Sequence, residues 1–273
     1  MIKQPFTQST LRHLATALLL LASASAGAQS LGTAANFAVL GATPSVTNAG
    51  PTLVSGSVGV WPAASITGFP PGQIVAGTGT FHAGDAIAQQ AQADTTAAYL
   101  ALAGMVSSPI SPALGGQTLT PGVYNAGAAD LTGALTLNGP GLYVIQATAL
   151  TTAAGPGASG VVLINGASAC NVFWQIGSSA SIGTFSAMQG NILALTSITI
   201  ATSASLGGRA LARNGTVTLD SNVITPCGLP PGGGGPQQPT GAVPTPTLSE
   251  WSMILLVLLM ATVGLVTMRR RRG

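Results

Sequence analysis

Apolar and small residues alternate with a period of two over most of the chain, which is the spacing of strands that bury one face. Two kinds of short run recur along it. One is Gly followed by apolar residues, as in GSVGV at Gly56, GLYVI at Gly141, GVVLI at Gly160, GNILA at Gly190 and GRALA at Gly208. The other alternates small and apolar residues, as in ALTL at Ala134, ALTT at Ala149, SASI at Ser179, SITI at Ser197 and TVTL at Thr216. These recurrences predict an internally repeated protein built from short strands.

The distance between repeats predicts how the strands are stacked. The last two copies of each run are 18 residues apart (Gly190 to Gly208) and 19 residues apart (Ser197 to Thr216), a typical coil length for a β-solenoid. The residues predicted to point into the solenoid are Leu135, Ile182, Ile198, Ile200, Val217 and Leu219. Those predicted to point outward, as a ladder on one side of the molecule, are Thr136, Thr151, Ser179, Ser181, Ser197, Thr199, Thr216 and Thr218.

One segment departs from this period. Residues 83–106 are rich in Ala, lack Pro and predict a single amphipathic helix. Its core-facing positions are predicted to be Ile87, Ala91, Ala98, Leu102 and Met105. Asp85 is placed to cap its N-terminus, and Pro109 and Pro112 are predicted to end it.

The sequence predicts a targeting segment at each end of the chain. Residues 1–28 combine basic residues, an apolar run and Ala26-Gly27-Ala28, which predicts a signal peptide cleaved after Ala28. The folded domain is then expected over 29–227. Residues 228–247 are rich in Pro and Gly and predict a flexible linker.

The last segment, residues 248–273, predicts a sorting signal. Its part 251–268 is apolar without a charge and is followed at once by Arg269 to Arg272, as expected of a short membrane span with a cytoplasmic stop. The order of Pro/Thr spacer, TLSEW from Thr247, apolar run and Arg cluster resembles the IPTL-CTERM protein-sorting tail of Gram-negative bacteria. The resemblance implies processing by an exosortase-type enzyme.

Composition argues against catalysis and against nucleic-acid binding. Hydrophobic residues make up 47% of the chain and charged residues only 5%. Within 29–227 there are two basic residues, Arg209 and Arg213, against four acidic ones, Asp85, Asp94, Asp130 and Asp220, so no basic patch is expected. Scattered Asp residues and a single His do not form a catalytic constellation, and no metal or cofactor is expected. Asp220 or Asp130 is placed to pair with one of the two arginines.

Two cysteines, Cys170 and Cys227, are expected to reach an oxidising compartment. A disulfide between them is favoured, and two buried free thiols are the alternative.

Several runs together resemble the bacterial and fungal ice-binding β-solenoid proteins. The resemblance begins at LGTAANFAVL from Leu31 and continues through LTPGVYNA from Leu119 and NVFWQIGSSASIGT from Asn171. It ends with GNILALTSITI from Gly190 and GRALARNGTVTLDSNVIT from Gly208. It implies a mainly β fold, an irregular right-handed β-helix with one long helix packed alongside.

The resemblance also implies a function. An exported protein would adsorb to the surface of an ice crystal through the flat Thr/Ser ladder, which Thr47 in the first coil is expected to join. The alternative is a cell-surface structural or adhesive module that uses the same scaffold without ice activity.

Overall fold

The computed structural model describes residues 29–228 as one mainly β unit with a single long helix. The helix, α1, spans Ala86–Ala103, and short 3-10 turns span Gly32–Asn36 and Ala169–Asn171. The strands are β1 Phe37–Gly41, β2 Val46–Ala49, β3 Leu53–Val54, β4 Ser57–Val60, β5 Ile66–Thr67, β6 Gln73–Ile74, β7 Phe81–Ala83, β8 Ser108–Pro109, β9 Thr118–Leu119, β10 Gly122–Leu131, β11 Gly133–Asn138, β12 Tyr143–Thr152, β13 Ser159–Ile164, β14 Val172–Ile176, β15 Ala180–Ile182, β16 Ala187–Gln189, β17 Asn191–Ala194, β18 Ile198–Ile200, β19 Ser205–Gly207, β20 Ala210–Ala212, β21 Val217–Asp220 and β22 Val223–Ile224.

The strands form a solenoid in which consecutive coils pair in parallel. The coil β17, β18, β19 is followed by the coil β20, β21, β22, and each strand pairs with its counterpart in the next coil. The prediction of a mainly β solenoid with one helix alongside is therefore confirmed. Each coil contributes to three faces.

The three faces are named here by what lies on them. The helix-covered face contains β1, β4, β7, β8, β14, β17, β20 and the first halves of β10 and β12. The hydroxyl face contains β2, β5, β15, β18, β21 and the second halves of β10 and β12. The third face contains β3, β6, β9, β11, β13, β16, β19 and β22.

The order of coils in the stack differs from their order in the chain. Strand β1 pairs with β4 on one side and with β20 on the other, so the first coil lies against the last one. The same seam joins β2 to β21 and β3 to β22. Helix α1 connects β7, at one end of the stack, to β8, at the other end.

The solenoid interior is filled by the alternate apolar residues of the strands. All six residues predicted to point inward are at most 2% exposed. Neighbouring residues of β14 serve two cores, since Trp174 fills the interior and Phe173 packs beneath the helix with Leu40, Leu193 and Leu211. The alternation of faces along each strand explains this division.

Helix α1 is shorter than predicted, and three of its predicted core-facing positions, Ala91, Ala98 and Leu102, are buried. Asp85 caps it as predicted, accepting a hydrogen bond from Ala88 N at 2.8 Å. The helix ends at Ala103, well before Pro109, which belongs to β8. The prediction for Ile87 was wrong, since its side chain is 55% exposed. The buried positions are Ala88, Ala91, Gln92, Thr95, Ala98, Tyr99 and Leu102.

Polar side chains are also buried on the inner face of α1. Gln92 is buried because its Nε2 donates to the carbonyls of Gly41 (2.8 Å) and Ala212 (2.9 Å) on the helix-covered face. Gln146 reaches from β12 to the other end of the helix, where its Nε2 donates to the carbonyls of Leu102 (2.8 Å) and Met105 (2.9 Å). These hydrogen bonds offset part of the cost of burying the amide groups, although Gln92 Oε1 is buried without a hydrogen-bond partner. A pattern based on apolar residues alone therefore gives Ala91, Ala98 and Leu102 but misses the buried Gln92.

The last coil is attached to the rest of the domain by a disulfide and a buried cation. Cys170 is bonded to Cys227, with a Cα–Cα distance of 5.4 Å. Arg209 is 5% exposed and donates to Ala35 O, Asn191 Oδ1 and Cys227 O at 2.8–3.0 Å. Burial lowers the pKa of Arg209 to about 10, so the side chain is charged at neutral pH.

The prediction that Asp220 or Asp130 pairs with an arginine was wrong. Arg209 is satisfied by carbonyl and amide oxygens as described above. The guanidinium of Arg213 lies 4.7 Å from the centre of the Tyr99 ring. Over residues 29–228, neither arginine lies within salt-bridge distance of a carboxylate.

The predicted targeting segments fall outside the described part of the chain. This applies to the signal peptide 1–28, to the linker from residue 229 onward and to the sorting signal 248–273 with its span 251–268. Between residues 29 and 228, no helix is both long enough and apolar enough to cross a bilayer.

Candidate functional site

The hydroxyl face carries one outward position of each coil in a straight, registered line, the central column. Strand pairing aligns Thr67 with Thr47, Thr47 with Thr218, and Thr218 with Thr199. It then aligns Thr199 with Ser181 and Thr151 with Ser181 and Asp130. In order, the central column is Thr67, Thr47, Thr218, Thr199, Ser181, Thr151 and Asp130. All are exposed except Thr47, which is half-buried.

A second line of residues, the flanking column, lies two positions earlier in the chain, directly before the strand in β5, β2, β21, β18 and β15 and within the strand in β12 and β10. It consists of Ser65, Ser45, Thr216, Ser197, Ser179, Ala149 and Ala128. The residue between the two columns points inward in every coil, and Val46, Val217 and Ile198 are fully buried. Buried apolar residues therefore hold each hydroxyl–apolar–hydroxyl triplet against the core, and both hydroxyls are at least partly exposed except at Ser45, which is buried.

Eight of the nine residues predicted for the ladder lie in these two columns. The central column contains Thr47, Thr151, Ser181, Thr199 and Thr218. The flanking column contains Ser179, Ser197 and Thr216.

The placement of Thr136 on the same side as the others was wrong. Thr136 belongs to β11 and pairs with Thr118 and Val162 on the third face. The run ALTL at Ala134 alternates as the hydroxyl-face runs do, because every face of a solenoid needs outward and inward residues in turn. Its pairing partner is the run GVVLI at Gly160, which lies on the third face as well. Alternation alone does not identify the face.

The first rung of the central column, Thr67, was not predicted from the sequence. Thr67 and Ser65 are both exposed and flank Ile66, which pairs with Val46. The signal was present in the sequence, because Ser65-Ile66-Thr67 repeats the Ser197-Ile198-Thr199 triplet residue for residue.

Charge is confined to the margins of the hydroxyl face. Asp130 occupies the last rung of the central column. Asp220 lies one column further along its strand, opposite Ala49, and accepts hydrogen bonds from Thr202 Oγ1 (2.5 Å) and Ser221 Oγ (3.0 Å). The rungs between these margins carry only hydroxyl and methyl groups, which can donate to water, accept from it, or be enclosed by it.

The fold and this face define a β-solenoid with one lateral helix and a regular, largely uncharged hydroxyl surface. Residues 40–225 match the family model described as ice-binding-like, so the chain belongs to the ice-binding-like family. Residues 242–272 match the IPTL-CTERM motif.

Named relatives and solved structures agree with this assignment. An ice-binding protein of Nostoc sp. (strain HG1) is 48% identical over 204 residues, which are 71% of this chain and 73% of the relative. The crystal structure of an ice binding protein from an Antarctic biological consortium has a TM-score of 0.68 and 44% identity, covering 72% of this chain and 90% of the other. The ice-binding protein of the Antarctic ascomycete Antarctomyces psychrotrophicus has a TM-score of 0.67 and 40% identity, covering 72% and 98%.

Proposed function

We propose that this protein is an exported ice-binding protein that adsorbs to ice through its hydroxyl face. The observation that carries the proposal is the central column, in which six Thr or Ser side chains are held in register by parallel strands. The relatives from Nostoc and from the Antarctic ascomycete are both named ice-binding proteins. The proposal extends their named property to this chain.

The physical argument concerns the water that the face holds. Parallel strands place successive rungs about 4.8 Å apart, so six rungs form a line of roughly 24 Å. A Thr side chain offers a hydroxyl that can anchor a water molecule and a methyl group that water must surround. A fixed two-dimensional array of such groups orders a water layer in a fixed geometry. An ordered layer of this kind can join a growing ice crystal.

The flatness of the array comes from the core beneath it. The inward residues between the two columns are fully buried in β2, β18 and β21, and close-packed interiors allow little movement. The backbone positions that carry the hydroxyl groups are therefore held in place in the free protein. Little conformational entropy is lost on adsorption to ice. Catalysis is not part of the proposed function.

We further propose how the domain reaches its place of action. Residues 1–28 direct export across the inner membrane and are removed, and residues 29–227 form the active domain. Residues 228–247 act as a linker. The span 251–268 holds the chain in the membrane until an exosortase-type enzyme acts on the tail, and the domain then works at the cell surface or outside the cell. The match to the IPTL-CTERM motif supports this proposal, and the intact mass of the protein recovered from cells tests both cleavages.

The main experiment places bulky side chains in the central column. We expect the purified protein to shape ice crystals and to inhibit recrystallisation near 0 °C, and the double variant Thr199→Tyr, Thr218→Tyr to lose both effects. The matched control is Thr136→Tyr, which introduces the same side chain on the third face. Circular dichroism and the melting temperature establish that all variants fold.

The outcomes separate the two functions considered for this scaffold. Loss of ice activity in the double variant alone supports the hydroxyl face. Equal loss in Thr136→Tyr would contradict the assignment of the face. If the parent protein leaves ice unchanged, the ice-binding proposal fails and a structural or adhesive role at the cell surface becomes the better account.

A further inference from the structure

The last rung of the central column is an aspartate, whereas the other rungs are threonines or a serine. Asp130 pairs in register with Thr151, and beyond it the sheet continues only through a bridge to Ala113. Asp130 is exposed and is the one rung of the column that carries a charge. The neighbouring positions of the flanking column are Ala149 and Ala128, without a hydroxyl.

The carboxylate of Asp130 also engages the hydroxyl groups around it. Thr132 Oγ1 donates to Asp130 Oδ1 at 2.9 Å. Thr151 Oγ1, on the next rung, lies 3.4 Å from Asp130 Oδ2 and 3.5 Å from Ala129 O, close enough to donate a weak hydrogen bond to either acceptor. In the described part of the chain, no cationic side chain lies within salt-bridge distance of Asp130. The side-chain partners of the carboxylate are therefore hydroxyl groups, and the residue is exposed to solvent.

A carboxylate and a hydroxyl impose different demands on a water layer. A hydroxyl both donates and accepts, as each water molecule in ice does, whereas an ionised carboxylate only accepts. Water around Asp130 must turn its protons toward the carboxylate, and taking that water away from an ion is costly. The layer over this rung therefore cannot continue the order that the hydroxyl rungs impose.

We infer that Asp130 ends the ice-contacting part of the central column and limits the strength with which the face adsorbs to ice. This inference rests on the proposed function. The contacting surface then runs from Thr67 to Thr151, and its strongest part is the four coils that expose a hydroxyl in both columns, since Ser45 is buried.

The experiment compares charge removal at two places on the same face. Asp130→Thr adds a seventh hydroxyl rung, and Asp130→Asn removes the charge with little change of shape. The matched control Asp220→Asn removes the same charge outside the two columns. Ice shaping and recrystallisation inhibition are measured for each variant, and the melting temperature shows that each is folded.

We expect Asp130→Thr to lower the protein concentration that stops recrystallisation by about twofold or more, equivalent to a gain of about 0.4 kcal/mol in adsorption. Asp130→Asn is expected to give a smaller decrease and Asp220→Asn none. An unchanged or higher concentration for folded Asp130→Thr would overturn the inference, as would an equal gain in Asp220→Asn. If the parent itself leaves ice unchanged, the failure lies in the proposed function.

Discussion

The hydroxyl oxygens of Thr47 and Thr218 lie 3.4 Å apart, although 171 residues separate them in the chain. The two residues are partners across the seam between the first and the last coil, and the register continues through Val46 with Val217. The central column therefore crosses the seam without interruption. A substitution that weakens the pairing of β2 with β21 is expected to disturb the hydroxyl face at its second and third rungs.

The disulfide is one attachment of the last coil, and its removal is expected to destabilise the domain. Cys170 and Cys227 are 57 residues apart, and closing a loop of that length stabilises a fold by about 4 kcal/mol in the chain-entropy model. We expect the Cys170→Ser, Cys227→Ser double variant to lose roughly this free energy of unfolding in urea. Reduction of the parent protein should give the same shift. Equal unfolding midpoints for the oxidised parent and the variant would contradict the prediction.

Arg209 is the second attachment, and it acts through hydrogen bonds. Its guanidinium donates to the buried Asn191 Oδ1 and to the half-buried carbonyls of Ala35 and Cys227, so Arg209→Met removes the donor from these acceptors. We expect a loss of about 3 kcal/mol in the free energy of unfolding, measured in urea. The control Arg213→Met removes a partly exposed cation stacked on Tyr99 and should cost about 0.5–1 kcal/mol. A smaller effect at position 209 than at 213 would show that the buried contacts are not stabilising.

Asp85 gives the domain a pH-dependent contribution to stability. Burial opposes its ionisation, but hydrogen bonds from Ala88 N and His82, together with the charge of His82, outweigh this and lower the pKa of Asp85 below its ordinary value. Because the pKa is lower in the folded state, ionised Asp85 stabilises the fold above the unfolded-state pKa of about 3.9. This stabilisation is lost as the pH falls through the folded-state pKa.

The variant Asp85→Ala tests this dependence. At pH 7 it is expected to lower the free energy of unfolding by about 1 kcal/mol through loss of the helix cap. The difference in melting temperature between parent and variant should narrow as the pH is lowered from 5 toward 2, a range set by the lowered pKa of Asp85. Asp85→Asn keeps a capping side chain and should lose less. A difference that stays constant with pH would rule out the carboxylate as its source.

The recurring glycine at the start of a run has a packing role at Gly208. A Cβ at this position would collide with the carbonyl of Gly190 in the neighbouring coil. Gly208→Ala is therefore expected to destabilise the domain by about 2–3 kcal/mol in thermal or urea unfolding. The control is Gly104→Ala at the end of α1, where φ is −80° and a Cβ meets nothing closer than 3.4 Å. That variant should be neutral or slightly stabilising, and an equal loss in both would contradict the argument.

Local pattern was sufficient to predict the single helix, many of the strands and the direction of many side chains. Ile198 and Val217 are buried and Thr199 and Thr218 exposed, as the alternation indicates, because a period of two is a property of each strand by itself. The capping of α1 by Asp85 is local in the same sense.

Local sequence pattern did not predict which face each strand belongs to or which coils lie next to each other. Thr136 alternates with Leu135 and Leu137 as Thr199 does with its neighbours, yet it lies on the third face. The seam between Thr47 and Thr218 depends on pairing between distant segments, which no short run encodes. On α1, Ile87 was predicted to be buried but is exposed. Polar Gln92 is buried on the inner face, where its Nε2 donates two hydrogen bonds to backbone carbonyls.

The position of α1 has a consequence for how this scaffold can grow. The last coil has neighbours on both sides, and the two open ends of the stack, at β7 and β8, both belong to the middle of the chain. A new coil could not simply be appended after Ile224, and one inserted elsewhere would move the two ends apart by about 4.8 Å. The helix that connects them would then need about three more residues, at 1.5 Å each. The length of helix α1 is therefore coupled to the number of coils. A change in the number of rungs during evolution should be accompanied by a change in the length of α1.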